Sequence, residues 1–141
     1  ERNLPRSLPQ GVIAVDYVPY QSLLPRACAV VHHGGVGTTS QALLAGVPTL
    51  IVPFAFDQSD NAEHAFRVGT SRTLYRKNYK AAKVANELEE LLRHPAYSHR
   101  ALEVSQKLKR ENGAARAADL MEEMMSGRKD GSEKVAHASG N

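Results

Sequence analysis

Tryptophan is absent from the 141 residues and cysteine occurs once, as Cys28. A single thiol cannot close an internal disulfide, which excludes a disulfide-stapled secreted scaffold. No apolar run approaches the roughly 18 residues of a membrane span, and the opening residues lack the charged-then-apolar pattern of a leader. A soluble, cytoplasmic protein is the expectation these absences leave. Charge of one sign is lacking too: 18 Lys+Arg stand against 15 Asp+Glu, a net charge of +3. That balance alone calls for no polyanionic partner, and no nucleic acid is expected. What is present, 42% hydrophobic and 23% charged residues, suits one globular domain.

The charge is unevenly placed. Residues 1–70 hold four basic and five acidic side chains, whereas residues 71–141 hold fourteen and ten. Between His64 and Asn86 come Arg67, Arg72, Arg76, Lys77, Lys80 and Lys83 with no acidic residue among them. Such a run reads as a solvated loop and helix face. The second reading is attraction to a phosphate-bearing ligand, or peripheral contact with an anionic membrane.

Short β-prone runs alternate with helical patterns. Val12–Val15, Ala29–Val31 and Thr49–Val52 predict strands, and Thr73–Tyr75 a short fourth. Helical segments are predicted at 21–26, at 38–45, through about Val68, around 84–92, at 98–111 and at 114–125. Gly46 and Gly69 stand where helix C-terminal glycines belong, with Pro48 blocking continuation of the first. The tail from Ser126, rich in Gly, Ser, Lys and Asp, predicts disorder over 126–141 after a domain spanning 1–125. Alternation of this kind implies an α/β fold, a Rossmann-like parallel sheet flanked by helices. Three or four strands are few for a doubly wound domain, so its first strands are expected to be missing. The open sheet edge this leaves suggests homo-oligomerisation.

The strongest chemical signal follows the second run: His32-His33-Gly34-Gly35-Val36-Gly37-Thr38-Thr39. Gly34, Gly35 and Gly37 let backbone approach a ligand closely, and the amides lead into a helix whose dipole favours an anion. Thr38 and Thr39 can cap that helix or donate hydroxyls to a phosphate. His32 can donate to an anionic oxygen. No Lys follows the glycines, which excludes a Walker A loop, and G-G-x-G is a poor match to a dinucleotide fingerprint. A tight strand-to-helix turn without a ligand is the plainer reading. His32 and His33, as neighbours on a strand end, point to opposite sides, and no metal site is expected.

Asp57-Gln58 is the second signal. A carboxylate beside a carboxamide can hold adjacent hydroxyls, as sugar recognition requires, while a helix N-cap explains it equally well. Asp60-Asn61 could supply that cap instead and free Asp57 for a ligand. The third is Tyr17-Val18-Pro19-Tyr20, where an aromatic could stack on a base or simply pack.

Together these stretches, Y-V-P-Y-x(4)-P-R-A-x(4)-H-H-G-G-V-G-T-T-x(6)-G-V-P-x(4)-P-x(3)-D-Q-x(2)-N from Tyr17 to Asn61, resemble the C-terminal half of the family 1 glycosyltransferases. That family includes UDP-glucuronosyl- and glucosyltransferases, sterol and macrolide glycosyltransferases, and rhamnosyltransferases of glycolipid synthesis. The resemblance implies the C-terminal half of a GT-B fold binding a UDP- or dTDP-linked sugar, without cofactor or metal. Tyr17 then falls where many members stack a tryptophan on the base, and Val18 where backbone groups pair with the base edge. Tyr20 replaces a glutamine that contacts base or ribose, and Ser40 replaces a ribose-binding glutamate. His32 and the turn from Gly34 to Thr39 match the diphosphate site, and Asp57 and Gln58 the pair that holds the donor sugar.

The reaction so implied is direct displacement at the anomeric carbon with inversion. The N-terminal half of such enzymes binds the acceptor and supplies the catalytic base. With no acceptor-binding domain in these residues, the chain is expected to contain no catalytic residue and to transfer no sugar alone. Two alternatives stay open: a non-catalytic donor-binding subunit of a split glycosyltransferase, and a nucleotide- or phosphate-binding module without transferase activity.

Overall fold

In the computed structural model, which describes residues 5 and 7–132, three short strands form one parallel sheet. They are β1 (Val30–His32), β2 (Thr49–Ile51) and β3 (Ser71–Thr73), in the order β1-β2-β3. Helix α1 (Tyr20–Leu23) and a 3-10 turn at Leu24–Arg26 precede the sheet. Helices α2 (Val36–Ala45) and α3 (Gln58–Val68) make the two crossovers, as parallel neighbours require. Both end on the glycines expected to end them: Gly46 and Gly69 adopt φ of 73° and 82°, and their amides return to the last carbonyls.

β2 is buried along its whole length because both faces are covered. Leu50 points one way, into a cluster with Val52, Leu74 and Leu91 backed by Val84, Leu88 and Tyr97. Those partners come largely from α4 (Ala81–Arg93) and α5 (Pro95–Arg110). Ile51 points the other way, against Ala62 and Ala65 of α3. The small alanines let α3 approach the sheet closely, which brings its first turn beside the ends of β1 and β2. β1 is an edge strand, with Val31 43% exposed.

Two expectations for the strands fail. Val12–Val15 forms no strand, and Ile13 is 84% exposed. A β-prone run becomes a strand only beside a neighbour that takes up its amides and carbonyls, and among the described residues none pairs with it. The last strand lies at 71–73 rather than 73–75, placed by its register with Thr49–Ile51.

The chain divides into two units, residues 1–106 and 107–141. In the second, α6 (Gly113–Ser132) opens with Asn112 Oδ1 accepting from the Ala115 amide at 3.3 Å. Residues 126–132, expected to be disordered, are therefore helical. No proline interrupts them, and each residue added to a helix brings its own hydrogen bond. The rest of that expected tail, 133–141, lies outside the described residues.

The basic run proves partly committed to structure. Arg67 pairs with Glu63 at 2.9 Å, and the Arg76 guanidinium sits 5.6 Å from the Phe54 ring centroid. Half-buried Arg72 donates from Nε to Glu87 of α4 and from Nη1 to the Tyr97 hydroxyl of α5 at 3.1 Å. One guanidinium thus ties β3 to two helices. Glu87→Gln leaves that charge without its counterion and is expected to cost about 1–2 kcal/mol. Urea unfolding checks this, and an unmoved midpoint would refute it.

Candidate functional site

The site gathers at the C-terminal end of the sheet, where β1 and β2 hand over to α2 and to the loop before α3. Gly34 makes the turn possible. It sits at φ +92°, and a Cβ there would lie 2.8 Å from Ile51 Cγ2 and 3.0 Å from the Gln58 carbonyl oxygen. The glycine thus packs directly on the strand and on the neighbouring loop. Gly37 has nothing within 4 Å of the same construction, so its missing side chain leaves open space above the first turn of α2.

His32 closes β1 with its ring oriented by the turn. The Gly34 amide donates to His32 Nδ1 at 3.0 Å, so in the neutral ring the proton sits on Nε2. That Nε2 is buried and has no partner. Burial, with a smaller contribution from His33, lowers the His32 pKa to about 4. Near neutral pH His32 therefore presents one uncharged N–H donor, fixed in direction, at the end of the sheet. His33 is exposed, with Nε2 packed near Gly35.

Helix α2 begins at Val36, two residues earlier than its sequence pattern suggests, because Gly35 takes the N-cap position in extended conformation. No side chain caps it. The amides of Val36, Gly37 and Thr38 consequently lack intrahelical acceptors and face the turn. Thr38 and Thr39 lie inside the first turn rather than at the cap. Thr39 spends its hydroxyl proton on the Gly35 carbonyl at 3.0 Å, so it cannot also donate to a ligand as expected from sequence.

Asp57 and Gln58 stand at the start of α3. Asp57 occupies the N-cap position, but its side chain makes no capping bond. The helix begins before Asp60-Asn61, so those residues are not the cap, and Asp57 is freed by another route. Gln58 Oε1 accepts from the amides of Phe54 and Ala55 at 2.8 and 3.1 Å. This folds the loop after β2 into a fixed shape and leaves the amide nitrogen of Gln58 as its remaining donor.

Asn61 joins the two halves of the site. Its Nδ2 donates to the Gly34 carbonyl at 2.9 Å and to Asp57 Oδ2 at 2.7 Å. The bond to Gly34 spans 27 residues of sequence. His32, Gly34, Gly35, Asp57 and Gln58 are thereby brought into one constellation, with the first turn of α2 beside them.

Tyr17, Val18 and Tyr20 line a cleft of about 720 Å3 with Val15, Gln21 and Gln41. The size suits a small-molecule ligand. Tyr17 is 84% exposed there, so its ring is not used for packing. Gln41 belongs to α2, five residues after Val36, or about 7.5 Å along the helix axis at 1.5 Å per residue. One helix thus runs from the glycine turn to the aromatic cleft. Spacing does not single out Gln41, whose one clue is the helix face it shares with Thr38; Asn61 stands in the sequence pattern, but as a cap candidate rather than as the link between turn and loop. Among the described residues no cluster of three or more His, Cys, Asp or Glu side chains is placed to hold a metal ion, and no helix is long and apolar enough to cross a membrane.

Comparison with known proteins gives consistent matches. The family model described as erythromycin biosynthesis protein CIII-like, C-terminal domain, matches residues 1–124. An aclacinomycin-T 2-deoxy-L-fucose transferase of Streptomyces galilaeus is 43% identical over 93 residues, covering 64% of this chain and 21% of the relative. The solved glycotransferase of kitacinnamycin superposes with a TM-score of 0.78 at 31% identity, over 87% of this chain and 32% of that one. Glycosyltransferase VinC, solved in complex with dTDP, gives a TM-score of 0.70 at 33% identity, over 74% and 27% of the two chains. The chain spans between 21% and 28% of the length of the first four curated relatives it matches.

Proposed function

The chain belongs to the family of erythromycin biosynthesis protein CIII-like C-terminal domains, and from that premise we propose that it forms the donor-binding part of an inverting GT-B glycosyltransferase. The donor in this reading is a hexose carried on dTDP or UDP, and the name of the VinC complex favours dTDP. One observation carries the assignment: a buried His32 Nε2–H without a partner, beside helix amides that no side chain caps.

The diphosphate takes the position those donors face. The departing anomeric C–O bond leaves its electron pair on the β-phosphate oxygen, while the acceptor oxygen bonds to the opposite face of the anomeric carbon. Charge growing on the leaving diphosphate is stabilised by His32 Nε2–H, by the amides of Val36, Gly37 and Thr38, and by the dipole of α2. A neutral donor suits this role, since its direction rather than its charge is what the turn has fixed. Asp57 and the Gln58 amide nitrogen hold sugar hydroxyls. Tyr17 and Tyr20 flank the base, with Gln41 at the ribose end of the cleft. The facing half of the GT-B arrangement supplies the acceptor and the base that deprotonates it, so these 141 residues are expected to bind donor without turnover.

Titration with dTDP and UDP tests the reading. His32→Ala is expected to weaken nucleoside diphosphate binding about tenfold, the loss of one hydrogen bond to a charged group. Equal affinity in the variant would remove the diphosphate assignment.

A further inference from the structure

Phe56 is the sole non-glycine residue with positive φ among the described residues, at +58°, and its ring is 95% exposed. Both properties work against stability. An L-residue with a bulky side chain pays a steric cost in the left-handed region, and glycine or asparagine would adopt the bend more easily. An aromatic ring left in water forgoes the burial that ordinarily stabilises it. Phe54, two residues earlier, differs because Arg76 lies over its ring. No such contact to Phe56 occurs among the described residues.

The backbone around Phe56 is held firmly. Gln58 Oε1 takes the amides of Phe54 and Ala55, and the Gln58 backbone N–H donates to the Ala55 carbonyl at 3.3 Å. On the other side Asn61 holds the Asp57 carboxylate. The ring therefore projects from a fixed frame, directly before the two side chains that read hydroxyls. Strain held in place at such a point, with an apolar surface facing outward, is the mark of a group kept for a ligand.

We propose that Phe56 is a specificity-determining residue of the donor site, its ring packing on the apolar C–H face of the donor hexose. This rests on the reading of Asp57 and Gln58 as the sugar-binding pair. A ring face favours sugars lacking one or more hydroxyls, because a deoxyhexose offers more contiguous C–H surface and loses less hydration on contact.

The test is calorimetric titration of the 141-residue chain with dTDP, dTDP-glucose and dTDP-rhamnose. Phe56→Asn keeps a residue that tolerates the bend, Phe56→Tyr keeps the ring, and Asp57→Asn probes the neighbouring reader. The wild-type chain is expected to prefer dTDP-rhamnose to dTDP-glucose. Phe56→Asn should weaken dTDP-rhamnose about tenfold and abolish the preference, with dTDP itself bound within twofold of wild type, and Phe56→Tyr should restore both. Phe56→Asn should also melt at a higher temperature. An unchanged rhamnose-to-glucose ratio in Phe56→Asn, while Asp57→Asn lowers affinity for both sugars, overturns this inference alone. If neither variant changes binding of the nucleotide sugars relative to dTDP, the assignment of the loop as the sugar site falls with it.

Discussion

Gly34→Ala is expected to destabilise the chain by about 3–4 kcal/mol, enough to remove much of the stability of a small domain. Two costs add. The backbone at φ +92° lies where a Cβ is strained whatever the space around it. The added carbon would also meet Ile51 Cγ2 at 2.8 Å and the Gln58 carbonyl at 3.0 Å. Ile51 is fully buried in the sheet and the carbonyl is backbone, so neither can swing aside cheaply. Gly37→Ala is the internal contrast, because it adds a methyl group to open space within a helical turn and is expected to leave stability equal or raise it by up to about 1 kcal/mol. On the proposed reading that methyl group enters the diphosphate position and weakens nucleotide binding. Urea unfolding of both variants decides: a Gly34→Ala midpoint near wild type would show that the turn can relax, contrary to its packing.

Acidification is expected to remove on the order of 2 kcal/mol of stability through His32 alone, after allowance for partial solvent screening. The folded chain holds this imidazole at a pKa of about 4, against 6.5 when free. Between those values the unfolded chain binds a proton that the folded chain refuses, so stability falls as pH drops through the window. Above pH 6.5 the contribution is fully present, and below about 4 both states are protonated and the slope ends. His32→Asn, which cannot titrate, should lack this component when urea unfolding is measured from pH 7 to 4. A difference between wild type and variant that stays constant with pH would refute it.

The β1-α2-β2-α3 core was legible because its signals are local. Gly46, Pro48 and Gly69 end their elements by conformational rules that need no knowledge of the rest of the chain. Strand formation is not local in this sense, which is why Val12–Val15 looks like a strand in sequence and is none in space. The site divides the same way. The glycines, His32, Asp57 and Gln58 stand out by residue type and spacing. The direction of the His32 proton depends on a bond from Gly34, and the loss of the Thr39 donor on a bond to Gly35. The strain at Phe56 depends on how Gln58 folds the loop back. None of these is a property of the residue concerned; each belongs to its partner.

Asn61 has two amide protons and commits both, one to the Gly34 carbonyl and one to Asp57. A single side chain thus acts as a crossbar between the turn proposed for phosphate and the loop proposed for sugar. Neither can shift without stretching a bond to the other, so filling one position changes the free energy of filling the second. The two ends of a donor would then contribute unequally when measured apart and when measured joined. On the proposed reading the donor would be recognised as one object, and a hydrolysed pair of fragments would not add up to it.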